Sequence, residues 1–182
     1  MVVHLTPDDA PEWIAARLDG LGGTRWVGID GWGASGKTTL AGRLAALLPG
    51  ATLIHLDDFA RPGVSTWERD RFAEQVVAPL LAGRTGHYQR WDWPTDSGAE
   101  WHAVEPGGVI VCEGVSSTDT RLPVPWDVTC WVEAPYAVRI ARAVERDGAG
   151  MLTTWLTDWI PHEEAYVRAQ RPQDRVDAIV AV

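Results

Sequence analysis

Gly31-Trp32-Gly33-Ala34-Ser35-Gly36-Lys37-Thr38 satisfies the pattern G-x-x-x-x-G-K-[ST], and the reading of these eight residues decides the fold. Glycines at these spacings let the backbone wrap an anion with successive N–H groups turned inward, and the positive end of the following helix adds to the attraction. A loop of this kind places Gly31, Gly33, Ala34, Ser35, Gly36, Lys37, Thr38 and Thr39 around nucleotide phosphates, with Lys37 against the β- and γ-phosphates and the Thr38 hydroxyl on Mg²⁺. The pattern needs a strand before it and a helix after it. Trp26-Val27-Gly28-Ile29-Asp30 is an apolar, β-branched run suited to a buried parallel strand. From Thr39 to Leu48 the residues Leu40, Leu44, Leu47 and Leu48 share one helical face, and Pro49-Gly50 stops the helix. Of 16 basic residues, Lys37 is the only lysine. A compact, flexible ammonium suits the loop where a planar guanidinium fits poorly.

The 182 residues, 46% of them hydrophobic, are enough for one domain with a substantial core. A net charge of −9 disfavours general binding to nucleic acid or to anionic membranes. Cys112 and Cys130 both lie in apolar runs, where they read as small core residues of a protein from a reducing cytoplasm. No segment has the length of a membrane span, and the first residues lack the pattern of a secretory leader. Eleven tryptophans supply packing bulk and surfaces for stacking on a substrate.

Four further strands are expected. Ala51 to Phe59 delivers Asp57 and Asp58 at its carboxyl end, where ligands sit in open α/β sheets; such an acid either accepts a proton from an attacking hydroxyl or helps order Mg²⁺. His55, earlier in that strand, reads as a core or edge histidine. Gly107 to Gly114 ends in Glu113, a candidate to hold Mg²⁺ through water. Val128 to Glu133 and Asp177 to Val182 complete the set. Helices are expected over Thr6 to Leu21, over Trp67 to Leu81 with Phe72, Val76, Val77, Leu80 and Leu81 buried, and over Pro135 to Asp147. Residues Arg61 to Thr66 read as a loop. Met151 to Gln170 reads as a helix bent at Pro161, with Trp155 and Trp159 stacked one turn apart.

Arg139, Arg142 and Arg146 recur at i, i+3 and i+7, as in a lid that closes over a triphosphate; a solvated face is the plainer alternative. Asp70 lies in a first helical turn, where an acid either serves the dipole or binds substrate. The interleaved aromatic and charged stretch Gly83 to Asp96, with Trp91, Asp92 and Trp93, reads as a binding surface or as a β-ribbon packed by its tryptophans. Thr95 to Pro106 connects onward with a short helix.

The order of these pieces resembles the uridine kinase-like family of phosphate-loop kinases, related to phosphoribulokinase and bacterial pantothenate kinase. It is carried by the loop Gly31–Thr38, by Asp57-Asp58-Phe59 (similar to the family's Asp-x-Phe), by Trp91-Asp92-Trp93 (similar to Tyr-Asp-Phe), by Glu113-Gly114 and by the arginines from Arg139 to Asp147. The resemblance spans Trp26 to Val182. It implies a three-layer α/β domain with a five-stranded parallel sheet of order 2-3-1-4-5, an acceptor-binding insert near residues 60–105 and a lid near 139–152. It further implies ATP and Mg²⁺ as cofactors and a small-molecule hydroxyl as acceptor. By likeness Asp57 is the general base; Lys37, Thr38 and Glu113 serve phosphates and metal; Arg142 and Arg146 belong to the lid; Asp70 matches an acid that binds ribose hydroxyls. Two departures stand out: Ala60 takes the place of a usual tyrosine, and Asp96 falls near that of a base-contacting histidine. Phosphoryl transfer to a nucleoside monophosphate and a nucleotide-dependent switch are the alternatives to transfer onto an alcohol.

Overall fold

The computed structural model describes residues 1–62, 64 and 66–182. Of the expected loop Arg61 to Thr66, Gly63 and Ser65 therefore lie outside the described residues. In chain order the strands are β1 (Val3–Leu5), β2 (Thr24–Gly31), β3 (Thr52–His55), β4 (Gly86–Asp92), β5 (Ser97–Val104), β6 (Gly108–Glu113), β7 (Val128–Glu133) and β8 (Ala178–Ala181). Six of them form one parallel sheet in the order β1-β8-β7-β2-β6-β3, and β4 and β5 form a separate antiparallel ribbon.

The five expected strands keep the order 2-3-1-4-5 among themselves, but the sheet has six strands. The additional one is β1, which pairs Val3, His4 and Leu5 with Ala178, Ile179 and Val180 on the far edge of β8. Three residues, Val3 and Leu5 half-buried and His4 exposed, are too few to establish a period, so β1 leaves no periodic signal in the sequence. The helix that follows, α1 (Ala10–Leu18), is shorter than the expected Thr6 to Leu21, because Thr6 closes a turn with Asp9 instead of capping the helix.

Each face of the sheet carries its own apolar layer. Along β2, Val27 and Ile29 point to one side and meet Ile14 and Leu18 of α1 and Leu40 and Leu44 of α2 (Lys37–Leu47). Trp26 points to the other side and joins Ile54, Phe59, Phe72, Val76 and Ile110. Burying a side chain of this size contributes roughly 1.5–3 kcal/mol. Cys112 and Cys130 are buried free thiols, one in each layer, and burial pushes both thiol pKa values up. Gly28 marks where the segment after β6 crosses β2: a Cβ there would lie 2.8 Å from Thr118 Cγ2.

Residues 69–81 run helically as α3 (Arg69–Phe72), a π turn (Ala73–Val77) and α4 (Ala78–Leu81). After α5 (Tyr136–Asp147) and a 3₁₀ turn (Ala149–Met151), residues 152–170 repeat the device with α6 (Leu152–Thr154), a π turn (Trp155–Trp159) and α7 (Ile160–Gln170). Each π turn ends two residues before a proline, Pro79 and Pro161. Proline lacks an N–H and crowds the carbonyl four residues back; a widened turn moves that carbonyl aside, so the helix absorbs what the sequence suggested as a bend. The extra residue also shifts the helical phase, and Leu81, expected in the core, is 56% exposed. Leu47, at the end of α2, is likewise exposed. Trp155 and Trp159 meet edge to face, at 79°, and not in a stack.

Where a short helix was expected after Thr95, the chain forms β5 and returns along β4 as a ribbon, with an irregularity between Gln89 and Trp91. Among the described residues, no helix is long and apolar enough to cross a membrane.

The end of β2 is anchored by Asp30, which is fully buried. Its carboxylate accepts hydrogen bonds from Gly31 N, Ser116 N, Thr118 N, Thr118 Oγ1 and, at 2.6 Å, Tyr166 Oη of α7. Replacement by alanine orphans several buried donors at about 1–3 kcal/mol each, so Asp30→Ala is expected to lose at least about 3 kcal/mol of unfolding free energy in urea titrations. Tyr166→Phe, which removes one donor, should lose only about 1–2 kcal/mol.

Candidate active site

The loop between β2 and α2 is shaped by three backbone positions. Gly31 approaches β7 so closely that a Cβ would sit 2.2 Å from Val132 O. Ala34 (φ 57°) and Gly36 (φ 108°) adopt left-handed backbone conformations. For Ala34 that costs about 1–2 kcal/mol, and its methyl is held against the cluster of Ala143, Trp155 and Ile160. Gly36 caps α2 without a side chain to bond the first turn, so the amides of Lys37, Thr38 and Thr39 are free of intrahelical acceptors. That is the chemistry of an anion site. Lys37 is buried, and its ammonium donates to Gly31 O at 3.2 Å and Trp32 O at 2.7 Å. Ser35 is buried with its hydroxyl unpartnered. Gly33 departs from the expected set: its N–H already donates to Glu163 Oε1 at 3.0 Å, so it is not free for a phosphate.

Facing the start of α2 is Glu113 at the end of β6, whose Oε1 accepts from Thr38 Oγ1 at 3.0 Å and meets His55 Nδ1 at 2.6 Å. Burial alone would raise the Glu113 pKa, but the His55 hydrogen bond, the Lys37 charge and the Thr38 hydroxyl together hold it below the usual range. The hydrogen bond to Glu113 raises His55 against the opposing effect of burial. His55, by sequence a core or edge histidine, is half-buried and meets Glu113 within the site. The signal lay in strand register, since His55 and Glu113 are paired neighbours at the carboxyl ends of β3 and β6.

Asp57 and Asp58 follow β3 on a 3₁₀ turn (Leu56–Phe59), not on the strand itself, and they face different ways. Asp57 is open to solvent on one side yet crowded by protein on its others. This crowding, and then the charge of Glu113, raise its pKa, while Lys37, Arg146 and His55 oppose the rise. Asp58 is turned toward the ribbon, where Tyr88 Oη donates to its carboxylate at 3.2 Å; burial raises its pKa against that bond and nearby positive charge. Phe59, expected on the substrate, is instead fully buried between Phe72 and Tyr88.

The three ribbon residues part company. Trp91 lines a cleft of about 370 Å³ with Arg61, Pro62, Val64 and Asp96. Asp92 accepts from Thr95 N and Thr95 Oγ1 and pairs with Arg90, so it ties the hairpin turn together. Trp93 is 53% exposed near the hairpin tip, and Asp70 is exposed on α3.

The arginines of α5 share the expected face but have separate partners. Arg139 is buried, ion-paired with Glu163 at 3.2 Å and stacked over Trp32, so it is committed within the protein. Arg142 Nη1 donates to Ser35 O at 3.3 Å. Arg146 is held by Asp147, which also accepts from Trp155 Nε1, and its charge acts on Asp57 and Glu113.

No protein-family model matches the sequence, and no curated protein matches it. Solved structures that superpose over nearly its whole length include the following two. A "possible uridine kinase" from Bacillus stearothermophilus is 20% identical, covers 96% of both chains and has a TM-score of 0.72. A candidate fructose transport system kinase from Silicibacter sp. TM1040 is 21% identical, covers 96% of this chain and 98% of that one, and has a TM-score of 0.73. The chain shares the fold of these two structures. The uncapped start of α2 suits a polyphosphate anion, and the Thr38–Glu113 oxygens beside it suit a hard divalent cation such as Mg²⁺. Among the described residues no three His, Cys, Asp or Glu side chains form a metal cage. Mg²⁺ shared between one or two protein oxygens and phosphate needs none.

The His55–Glu113 pair has a defined pH window. Folded His55 titrates above its ordinary 6.5, so its contribution is present below that value and is lost as pH rises through the raised pKa. Folded Glu113 titrates below its ordinary 4.5, so its contribution is present above that value and is lost as pH falls through the lowered pKa. A His55→Ala/Glu113→Gln double-mutant cycle in chelator-containing urea should therefore show a larger coupling at about pH 5.5 than at about pH 8.5.

Proposed function

We propose that this chain transfers the γ-phosphoryl group of ATP to a hydroxyl of a nucleoside, sugar or similar polyhydroxylated small molecule. The observation that carries this reading is the meeting of Lys37, the uncapped amides of α2, the Thr38–Glu113 pair and the open carboxylate of Asp57 at one edge of the sheet.

Main-chain amides of Gly36 to Thr39 and the Lys37 ammonium would hold the phosphates. Thr38 and Glu113 would hold Mg²⁺, which when bound supplies positive charge to the phosphate oxygens. Asp57 accepts the proton of the attacking hydroxyl, a role favoured by its exposure to solvent and by a pKa raised from the ordinary aspartate value. Arg146, whose charge already acts on Asp57 and Glu113, and Arg142, at the loop carbonyl of Ser35, offset negative charge as the phosphoryl group moves. The acceptor lies between Asp57 and the ribbon, where Trp91 offers an aromatic face and Asp58 and Asp96 offer carboxylates. A monophosphate acceptor would call for a strongly cationic pocket; here Arg61 is accompanied by Asp96, which favours a neutral, hydroxylated acceptor.

A panel of nucleosides, sugars, aminoglycosides and pantothenate, assayed by ADP release with MgATP, should reveal one stimulating class. Hydrolysis stimulated by none of them would favour a nucleotide-dependent switch. With the acceptor in hand, Asp57→Asn is expected to abolish transfer while leaving MgATP affinity within several-fold, and full activity would remove Asp57 from the base role. Lys37→Met should weaken MgATP binding by about tenfold or more in calorimetry.

A further inference from the structure

A buried carboxylate touching a loop built for anions is unusual, because it adds negative charge where phosphate must come. Glu163 of α7 is such a group, only 6% exposed. One of its oxygens accepts from Gly33 N at 3.0 Å and the other from Arg139 Nη1 at 3.2 Å. The approach is tight. A Cβ on Gly33 would sit 2.4 Å from Glu163 Oε1 and 2.6 Å from the Trp155 ring, so the third loop position has to be glycine for α7 to reach it.

We propose that Glu163 is a positioning residue that holds the phosphate loop and the arginine-bearing helix α5 in register. The inference rests on the phosphoryl-transfer reading of the same site. Through Gly33 N the carboxylate grips the loop, and through Arg139, whose guanidinium also stacks over Trp32 at 4.8 Å, it grips α5. Two further turns along α5 the chain is tied again, by Asp147 to Trp155 Nε1. Between those ties stands Arg142, bonded to Ser35 O, and beside the second stands Arg146, whose charge reaches Asp57 and Glu113. The charge of Glu163 is offset by Arg139, so the pair adds no net charge to the anion site. Buried ion pairs contribute little to stability over an apolar replacement, whereas their directional bonds can specify register. Preorganised cations at a phosphoryl group matter most in the transition state, so the loss should appear in turnover more than in ground-state nucleotide binding.

Glu163→Gln preserves shape and can still accept from Gly33 N, but it removes the counter-charge of Arg139. The test compares wild type, Glu163→Gln, Arg139→Gln and the double variant in MgADP affinity by calorimetry, turnover of MgATP to ADP with water as acceptor, and thermal midpoint. Each single variant is expected to bind MgADP within about threefold of wild type and to lose about tenfold or more in kcat. The double variant should be no slower than the slower single one, as befits two groups acting as a unit. Wild-type kcat per folded molecule in Glu163→Gln, even with a lowered midpoint, would reduce the pair to structural support and overturn the proposal. Multiplicative losses in the double variant, or MgADP affinity falling in step with kcat, would overturn it as well. If wild type itself fails to bind MgADP, the phosphoryl-transfer reading falls and takes this one with it; wild-type binding with unaltered variants sinks the positioning role alone.

Discussion

Five hydrogen bonds converge on one buried carboxylate, that of Asp30, and the rest of the site is referenced to it. The residue is the penultimate one of β2, immediately before the phosphate loop, and its donors come from three separate places: Gly31, the crossing after β6 and helix α7. In a low-dielectric interior each such bond is strong and each orphaned donor is costly, so the network behaves as an all-or-none clamp. It sets where the loop begins relative to Glu113, which lies three residues before Ser116. It also sets where α7 lies, and thereby where Glu163 meets Gly33. A neighbouring clamp, Asp119, extends the same order toward α3, because its fully buried carboxylate pairs with Arg69 and Arg121 and accepts from Gln170 of α7. Those bonds hold its pKa well below the usual range despite the opposing effect of burial.

Much of the architecture was legible in the sequence because the phosphate loop constrains its surroundings. Once Gly31 to Thr38 is read as a strand-to-helix turn, the apolar runs ending in Asp57 and Glu113 have few places to go, and their order in the sheet follows. Legibility failed where the determinant was not periodic. β1 is three residues long and owes its existence to a free edge on β8. β5, mostly exposed with half-buried residues only at Ala99 and His102 before the buried Val104, is held mainly by pairing with β4 and by the Arg90–Glu100 contact, and neither pattern nor propensity announces it. The π turns displaced Leu81 because helical periodicity assumes a constant phase.

Within the site, residue identity was easier to read than residue direction. Asp57 and Asp58 are adjacent and chemically identical, and only the 3₁₀ turn sends one toward Lys37 and the other toward Tyr88. The spacing of Arg139, Arg142 and Arg146 correctly put them on one face, but spacing says nothing of a partner 24 residues further on, and Glu163 carries no local motif. Phe59 is part of a recognisable triplet yet packs in the core. The tryptophans divide in the same way: Trp26 with Trp126 and Trp32 with Trp131 meet edge to face as packing pairs, while Trp93 and Trp101 lie largely in solvent.

The burial of Lys37 has a consequence outside catalysis. It is the one side-chain amine in the molecule, and it is shut behind two carbonyls of its own loop. Acylating reagents that scatter over the surface of an ordinary protein would find, apart from the α-amine of Met1, a single address here, reachable only during moments when the loop loosens. The pace of such labelling would serve as a clock for those openings, readable by mass spectrometry without any engineered probe.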